Sequence, residues 1–214
     1  ETNRFGVITL PALYVDFNDL SGYVPLFTFN LMIASTLLVA LFLIDDFKGL
    51  NAYLRLGIQA ALSLFMIFST DTYISNLGNI LGFGDLELGL FSIPFTVFCV
   101  VGIMNAFNMI DGINGLCSGC AMVALLFIGF SSGLIYDSML VLLIGSVIGF
   151  LFFNLGILGK KRAVFLGDHG SNMIGFWVAW AAILSSQSSI YKIMPITMVW
   201  FVAIPLLDCI GLIF

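Results

Sequence analysis

An all-α, polytopic membrane helix bundle with a small extracytoplasmic hairpin is what this sequence predicts, on three observations. Hydrophobic residues make up 61% of the 214 and charged residues only 9%, where a soluble domain carries about 25% charged residues. Mean hydropathy is +1.14. The apolar residues gather in runs close to the ~20 residues a helix needs to cross a bilayer. Polar breaks separate those runs, as expected of helices and not of a barrel.

Each element follows from this pattern. Residues 5–15 are apolar but short, and read as the second half of a helix that starts upstream. Residues 16–23 read as a polar turn, and 24–44 as a span that ends abruptly in Asp45-Asp46. A short polar connection over 48–55 leads into a span over 54–69. Residues 70–89 differ in kind: Gly78, Gly82, Gly84 and Gly89 punctuate the short segments Ile80-Leu81 and Leu86-Glu87-Leu88, which predicts a hairpin outside the bilayer. Spans follow over 91–110, 116–135 and 140–155, the last two joined by a tight turn around Asp137. A polar loop then carries Lys160-Lys161-Arg162 and Gly167-Asp168-His169-Gly170-Ser171. Residues 173–185 and 193–214 complete seven spans plus the partial first one. No internal repeat or low-complexity linker divides the chain, so a single transmembrane domain over 1–214 is expected. The chain opens on Glu1-Thr2-Asn3-Arg4 and stops inside an apolar run at Phe214, which reads as a core truncated at both ends. No charged n-region or cleavage site marks a signal peptide.

Orientation follows from the basic residues. If the loop after Ile44 faces the cytoplasm, alternation puts the stretches around Asp111 and Asp168 there too. Arg4, Lys48, Arg55, Lys160, Lys161 and Arg162 then face the cytoplasm and only Lys192 lies outside, in keeping with the positive-inside tendency. Asp71, Asp85, Glu87 and Asp137 fall on the other side. With 7 basic and 12 acidic residues, no nucleic-acid partner is expected. Cys117-x-x-Cys120 has redox or zinc spacing, but no second ligand pair supports it, and Cys99, Cys117, Cys120 and Cys209 read as small packing residues.

The chemistry gathers where spans surface. In Asn105-Ala106-Phe107-Asn108-Met109-Ile110-Asp111-Gly112-Ile113-Asn114-Gly115, Asn105, Asn108 and Asp111 fall within about a 120° arc of one helix face. Polar groups at membrane depth are costly and mark a cavity or a site. Asp45-Asp46, Asp111 and Asp168 all lie at the ends of spans on one side, with asparagines among them and no histidine or cysteine cluster. Oxygen donors of this kind suit a hard cation such as Mg2+, which takes one or two carboxylates plus phosphate oxygens and water. Lys48, Arg55 and Gln59 recur at helical spacing, as would fit a phosphate-facing basic face. Gly167, Gly170 and Ser171 at a helix start offer backbone N–H groups to an anion. Together these features point to phosphate chemistry at a membrane surface.

Leu43-Ile44-Asp45-Asp46, Arg55-Leu56 with Gln59, Asn105 to Gly112, Asn154-Leu155-Gly156, Val164 to Asp168 and Gly170-Ser171 come in order. With this set the chain resembles the polyprenyl-phosphate N-acetylhexosamine-1-phosphate transferase family from about residue 24 onward. Within it the chain is most similar to the bacterial undecaprenyl-phosphate N-acetylglucosamine-1-phosphate transferases, and more distantly to the phospho-N-acetylmuramoyl-pentapeptide translocase. The resemblance implies a Mg2+-dependent enzyme (Mn2+ serving in its place) in the bacterial inner membrane, its site facing the cytoplasm. A UDP-N-acetylhexosamine would give its sugar 1-phosphate to undecaprenyl phosphate drawn from the lipid bilayer, with UMP released, to start a cell-surface polysaccharide such as O-antigen. By family position Asp168 matches the metal ligand, and Asp45 and Asp46 match the pair assigned to metal or to lipid-phosphate activation. Asp111 matches a catalytic carboxylate. Lys48, Arg55, Asn105, Asn108 and Asn114 are the expected substrate-binding groups, and a homodimer is the open expectation for assembly.

Three features depart from the family pattern. Asn114 stands where many relatives carry a second aspartate, and His169 where a small residue is usual. The family's histidine-rich cytoplasmic loop falls beyond Phe214. A catalytically inactive relative or fragment is therefore one alternative. A transporter using the acids as a cation path is another, although it predicts carboxylates near the midplane and paired halves. Asp208, after Pro205 in the last apolar run, is a mid-membrane carboxylate that reads either as functional or as a helix-packing group. A CDP-alcohol phosphotransferase would need Asp111-Gly112 to continue into Ala-Arg and further aspartates, which it does not.

Overall fold

The computed structural model describes residues 17–80, 82, 84–133, 138–157, 159, 161, 163–187 and 193–213. Eight α-helices make up the described fold: α1 (Phe17–Lys48), α2 (Ala52–Thr70), α3 (Ser92–Ile110), α4 (Leu116–Ser132), α5 (Ser138–Asn154), α6 (Gly167–Gln187), α7 (Pro195–Phe201) and α8 (Ala203–Ile213). A single 3-10 turn, Gly89–Phe91, precedes α3. The all-α membrane bundle is as expected. Segments 5–15 and the turn at Asp137 lie outside the described residues, as do Arg4, Lys160, Arg162 and Lys192.

Three stretches, Leu26–Lys48, Ala52–Thr70 and Gly89–Ile110, are long and apolar enough to cross a membrane singly. The expected last span is not one helix. Pro195–Phe201 and Ala203–Leu212 meet at 71° and cross only if taken together. Pro205 has no N–H to return to the carbonyl four residues back, so the helix cannot run straight through this turn. The apolar helices Leu116–Ser132 and Leu140–Asn154 are shorter than a full bilayer crossing. α6 is long enough at 21 residues but carries Asp168, Ser171, Asn172, Ser185 and Gln187. Other helices surround it, so it needs less apolar surface of its own.

Local signals set the ends. Gly49, at φ +64°, closes α1 with its N–H on the Asp45 carbonyl at 2.7 Å. Asn51 caps α2, its side-chain oxygen accepting from Leu54 N–H at 2.8 Å. Of the polar turn read in sequence over 16–23, residues 17–23 are helical, because α1 begins at Phe17, and Asp16 lies outside the described residues. Within the helices Ser35, Ser63, Thr70, Thr96 and Ser185 bond to carbonyls four residues back, satisfying their hydroxyls without a partner helix.

Helix α6 is the axis of the bundle. It packs most extensively on α3, and further against α1 and α4. One face of α6 (Phe176, Ala179, Trp180, Ile183) closes a cluster with Phe27, Leu38, Phe42, Met66 and Met104. The opposite face (Ile174, Val178, Ala182) joins Phe107, Leu125, Ile128, Ile144 and Met198. Trp180 is fully buried, with the Phe27 and Phe176 rings edge-on at 6.2 and 6.1 Å. The α3–α6 crossing is close because Gly175 has no side chain: a Cβ there would lie 2.8 Å from Met104 Cα and 3.3 Å from the Ile103 carbonyl oxygen.

At the end where α2 finishes and α3 begins, the expected hairpin is present in minimal form, with one antiparallel bridge between Asn76 and Glu87. Its arms are residues 75–77 and 86–88, joined by Leu77 N–H to Leu86 O and Leu88 N–H to Ser75 O, both at 2.9 Å. Ile80, read as part of the first arm, sits instead in the bend between them. Gln187 at the end of α6 fastens this hairpin: its Oε1 accepts from Ser75 N–H (2.9 Å) and Oγ–H (3.0 Å), and its Nε2 donates to Asn76 O (3.1 Å).

The Gly175 crossing gives a direct test of this packing. Gly175→Ala should destabilise the bundle by about 1–3 kcal/mol, the usual cost of overpacking. Gly57→Ala, where a Cβ meets nothing within 4 Å, should leave the thermal midpoint in detergent unchanged or slightly raised.

Candidate active site

The end of the bundle opposite the hairpin gathers the acidic stretches. The C-terminal end of α1 brings Asp45 and Asp46, the first turn of α2 brings Arg55, the C-terminal end of α3 brings Asn108 and Asp111, and the first turn of α6 brings Asp168 and His169. α6 starts at Gly167, so Asp168 lies inside its first turn and not in a preceding loop. Helix N-termini favour carboxylates, and this one holds Asp168 on the helix itself.

Arg55 is the hub. Its Nε lies 2.6 Å from Asp45 Oδ2, as a close ion pair whose angle does not make a hydrogen bond. Its Nη1 donates to Asp168 Oδ2 at 3.0 Å. Asp45 is buried, 2% exposed, and its other oxygen accepts the Leu50 N–H. Both oxygens of Asp45 are therefore engaged by the protein. Asp45, expected as a metal ligand or activating carboxylate, anchors the arginine and the α1–α2 connection in this arrangement. Asp46, the next residue, is exposed, and its Oδ2 lies 3.1 Å from His169 Nδ1. His169, unexplained from the sequence, thus holds the end of α1 to the start of α6.

Behind this layer runs a buried amide chain. Asn105 Nδ2 donates to Gln59 Oε1 (2.8 Å) and to its own helix at Val101 O (2.8 Å). Gln59 Nε2 donates to Asn172 Oδ1 at 2.6 Å, and Asn172 Nδ2 donates to the Asp168 carbonyl at 2.7 Å. Gln59 and Asn172 are each 1% exposed. Arg55 and Gln59 are four apart on α2, and Asp168 and Asn172 are four apart on α6, so the two helices zip through matched polar pairs. Asn172 escaped the sequence reading. Its spacing from Asp168, equal to that of Gln59 from Arg55, was the signal available. Asn108 Oδ1 accepts from Ser171 Oγ–H at 2.7 Å. Asn105 and Asn108 are thus turned toward α2 and α6.

Asp111 caps α3, its N–H on Asn108 O at 3.4 Å. Partial burial and then the nearby charge of Asp168 push its carboxyl up to about 6. Asn114 is exposed in the turn between α3 and α4. Lys48 does not share a helix face with Arg55 and Gln59 as its spacing suggested. It is the last residue of α1, exposed, and the break at Gly49–Asn51 separates it from α2. Asp208 is exposed on α8, in the turn whose Cys209 Sγ approaches Met109 Sδ at the site end of α3 to 3.4 Å.

Comparison with known proteins places the chain in a family. Residues 28–186 match the model of glycosyl transferase family 4. An undecaprenyl-phosphate alpha-N-acetylglucosaminyl 1-phosphate transferase of Escherichia coli (strain K12) is 33% identical over 213 residues, 98% of this chain and 58% of that protein. Proteins of the same name from Haemophilus influenzae and Yersinia pestis are 40% and 35% identical over 185 residues, 83% of this chain and 51% and 50% of theirs. The chain spans little more than half the length of the curated relatives it matches.

The raised pKa of Asp111 carries a sign. Its carboxyl ionises near 6 in the fold against 3.8 ordinarily, so the fold favours the protonated form. That contribution to stability is complete below about pH 4 and is lost as pH rises through about 6. In chelator-treated buffer Asp111→Asn should therefore melt higher than the parent protein at pH 7.5, with the gap closing toward pH 4. Parallel melting curves across that range would contradict the electrostatic account of Asp111.

Proposed function

The chain belongs to glycosyl transferase family 4, and from that premise we propose that the whole protein is a glycosyl-1-phosphate transferase. It passes N-acetylglucosamine 1-phosphate from a UDP-sugar to undecaprenyl phosphate and releases UMP. The reaction takes place at the cytoplasmic face of the bacterial inner membrane, within a single transmembrane domain, and starts a cell-surface polysaccharide. The observation that carries this reading is the gathering of Asp45, Asp46, Asp111 and Asp168 from the ends of three helices at one end of the bundle, with Arg55 between two of them. The names of the relatives support the choice of sugar and lipid.

In this reaction an oxygen of the lipid phosphate attacks the sugar-bound phosphorus of the donor. A new P–O bond forms, the bond from that phosphorus to the oxygen of the uridine-bound phosphate breaks, and UMP leaves with the electron pair. A phosphate monoester loses its second proton near pH 6, so the acceptor arrives mostly as a dianion and needs no base to become a nucleophile. The obstacle is the meeting of two anions. Arg55 keeps donors beyond the two used on Asp45 and Asp168, and these would receive a phosphate oxygen. Asp46 is exposed, and the oxygen not facing His169 can meet an incoming group. Lys48 and Asn114, both exposed, would contact substrate at the rim, while Asn105 and Asn108 orient their neighbours.

Mg2+, or Mn2+ in its place, fits this donor set. The donors are oxygens, and Asp111 and Asp168 already oppose each other's charge. Mg2+ takes one or two carboxylates and completes its shell with phosphate oxygens and water. Asp111 and Asp168 would hold the ion, which when bound supplies positive charge to the phosphates being joined. Nothing in this chemistry requires a second copy of the chain.

Membranes expressing the full-length parent of this chain should move label from UDP-N-acetylglucosamine into butanol-extractable lipid when given undecaprenyl phosphate and Mg2+. A chelator should abolish the transfer, and Asp168→Asn should lower it by about 100-fold or more. Absence of labelled lipid from the wild-type enzyme with every UDP-N-acetylhexosamine would overturn the assignment.

A further inference from the structure

Asn154, the last residue of α5, stands outside the chemistry described so far, yet its side chain is committed in two directions. It is 4% exposed. Its Oδ1 accepts the N–H of Gly115, and its Nδ2 donates to the carbonyl of Val164 at 2.8 Å. Gly115 lies four residues after Asp111 and Val164 four residues before Asp168. One buried amide therefore ties together the two connections that deliver these carboxylates. The neighbouring residue reinforces the tie. Gly115 sits at φ +81°, and a Cβ there would drive into the Leu155 side chain, so its backbone is pressed directly against the end of α5.

We propose that Asn154 is a positioning residue, a brace that fixes the α3–α4 turn and the α5–α6 connection against each other and so sets Asp111 and Asp168 in mutual register. A buried primary amide suits this place because it accepts on one side and donates on the other. A carboxylate of nearly the same shape keeps the acceptor toward Gly115 and loses the donor toward Val164. Leucine of similar size keeps neither. The brace touches backbone only, so its effect on turnover passes through the two aspartates and not through contact with substrate. The catalytic half of this inference rests on the transfer reaction proposed above, whereas the hydrogen-bonding half does not.

The test uses the full-length protein in nanodiscs with Asn154→Leu and Asn154→Asp. Amide hydrogen exchange at Gly115, read from a peptide covering 111–116, should quicken about tenfold in Asn154→Leu, the equivalent of one hydrogen bond. It should stay slow in Asn154→Asp. The peptide covering 163–168 should quicken in both. In the transfer assay kcat per folded molecule should fall by about 10–100-fold in both variants, as for other groups that orient acidic ligands, with KM for the UDP-sugar unchanged. Unchanged exchange at Gly115 in Asn154→Leu would overturn the brace. A raised KM at constant kcat would overturn it in favour of direct substrate contact, and an unchanged kcat per folded molecule would reduce Asn154 to a purely structural role. If the wild-type protein transfers no sugar at all, the transfer reading fails by itself. The exchange pattern then decides whether the brace stands.

Discussion

The site end of the bundle depends on one guanidinium group. Arg55 stands between Asp45, which is buried, and Asp168, which is partly exposed, and among the described residues it is the group that reaches both. A carboxylate out of water is costly unless it is paired and its lone pairs are used. Asp45 is compensated by the ion pair with Arg55 on one oxygen and by a hydrogen bond from the Leu50 N–H on the other. The arrangement holds the end of α1, the start of α2 and the start of α6 at fixed separation. The second layer, from Asn105 through Gln59 and Asn172 to the Asp168 carbonyl, ties α3 to α2 and α6 with uncharged groups. A buried polar network in a low dielectric helps to specify one arrangement of its helices.

The apolar scaffold explains why such a network can persist at the edge of a membrane. α6 is enclosed on both faces, by the cluster around Trp180 and by that around Phe107 and Leu125. Its two ends are fastened by polar side chains, Asp168 and Asn172 at one and Gln187 at the other. Close approach of α3 at Gly175 brings Asn108 to Ser171, which links the α3 carboxylate region to the same helix. Asp45, Asp46, Asp111 and Asp168 lie at one end of the bundle and not along its middle, which suits chemistry on a membrane-surface substrate better than a cation path through the bilayer.

Much of this was legible in the sequence. Long apolar runs fix the helices through their length, and span ends are where an acidic residue in a membrane chain is least costly, so Asp45, Asp46, Asp111 and Asp168 could be grouped from order alone. What was hidden depends on side chains meeting across the fold. Lys48 has helical spacing to Arg55, but Gly49 breaks the helix between them. The polar stretch before Met173 reads as loop, yet Gly167 to Asn172 is helical because other helices satisfy its polar side chains. The last apolar run reads as one span, and only the missing N–H of Pro205 hints at its 71° bend. Asp46 lies 123 residues from His169 and Gly115 lies 39 from Asn154, distances no periodicity can bridge.

The central claim, that Arg55 compensates a buried Asp45 and so organises the site, is tested most directly by a double-mutant cycle read in thermal stability. Arg55→Gln alone leaves the Asp45 charge buried and should cost about 3–5 kcal/mol. Adding Asp45→Asn removes that charge, so the double variant should be more stable than Arg55→Gln alone, with a coupling of about 0.5–3 kcal/mol. A double variant less stable than either single one, at the sum of their separate losses, would contradict the account.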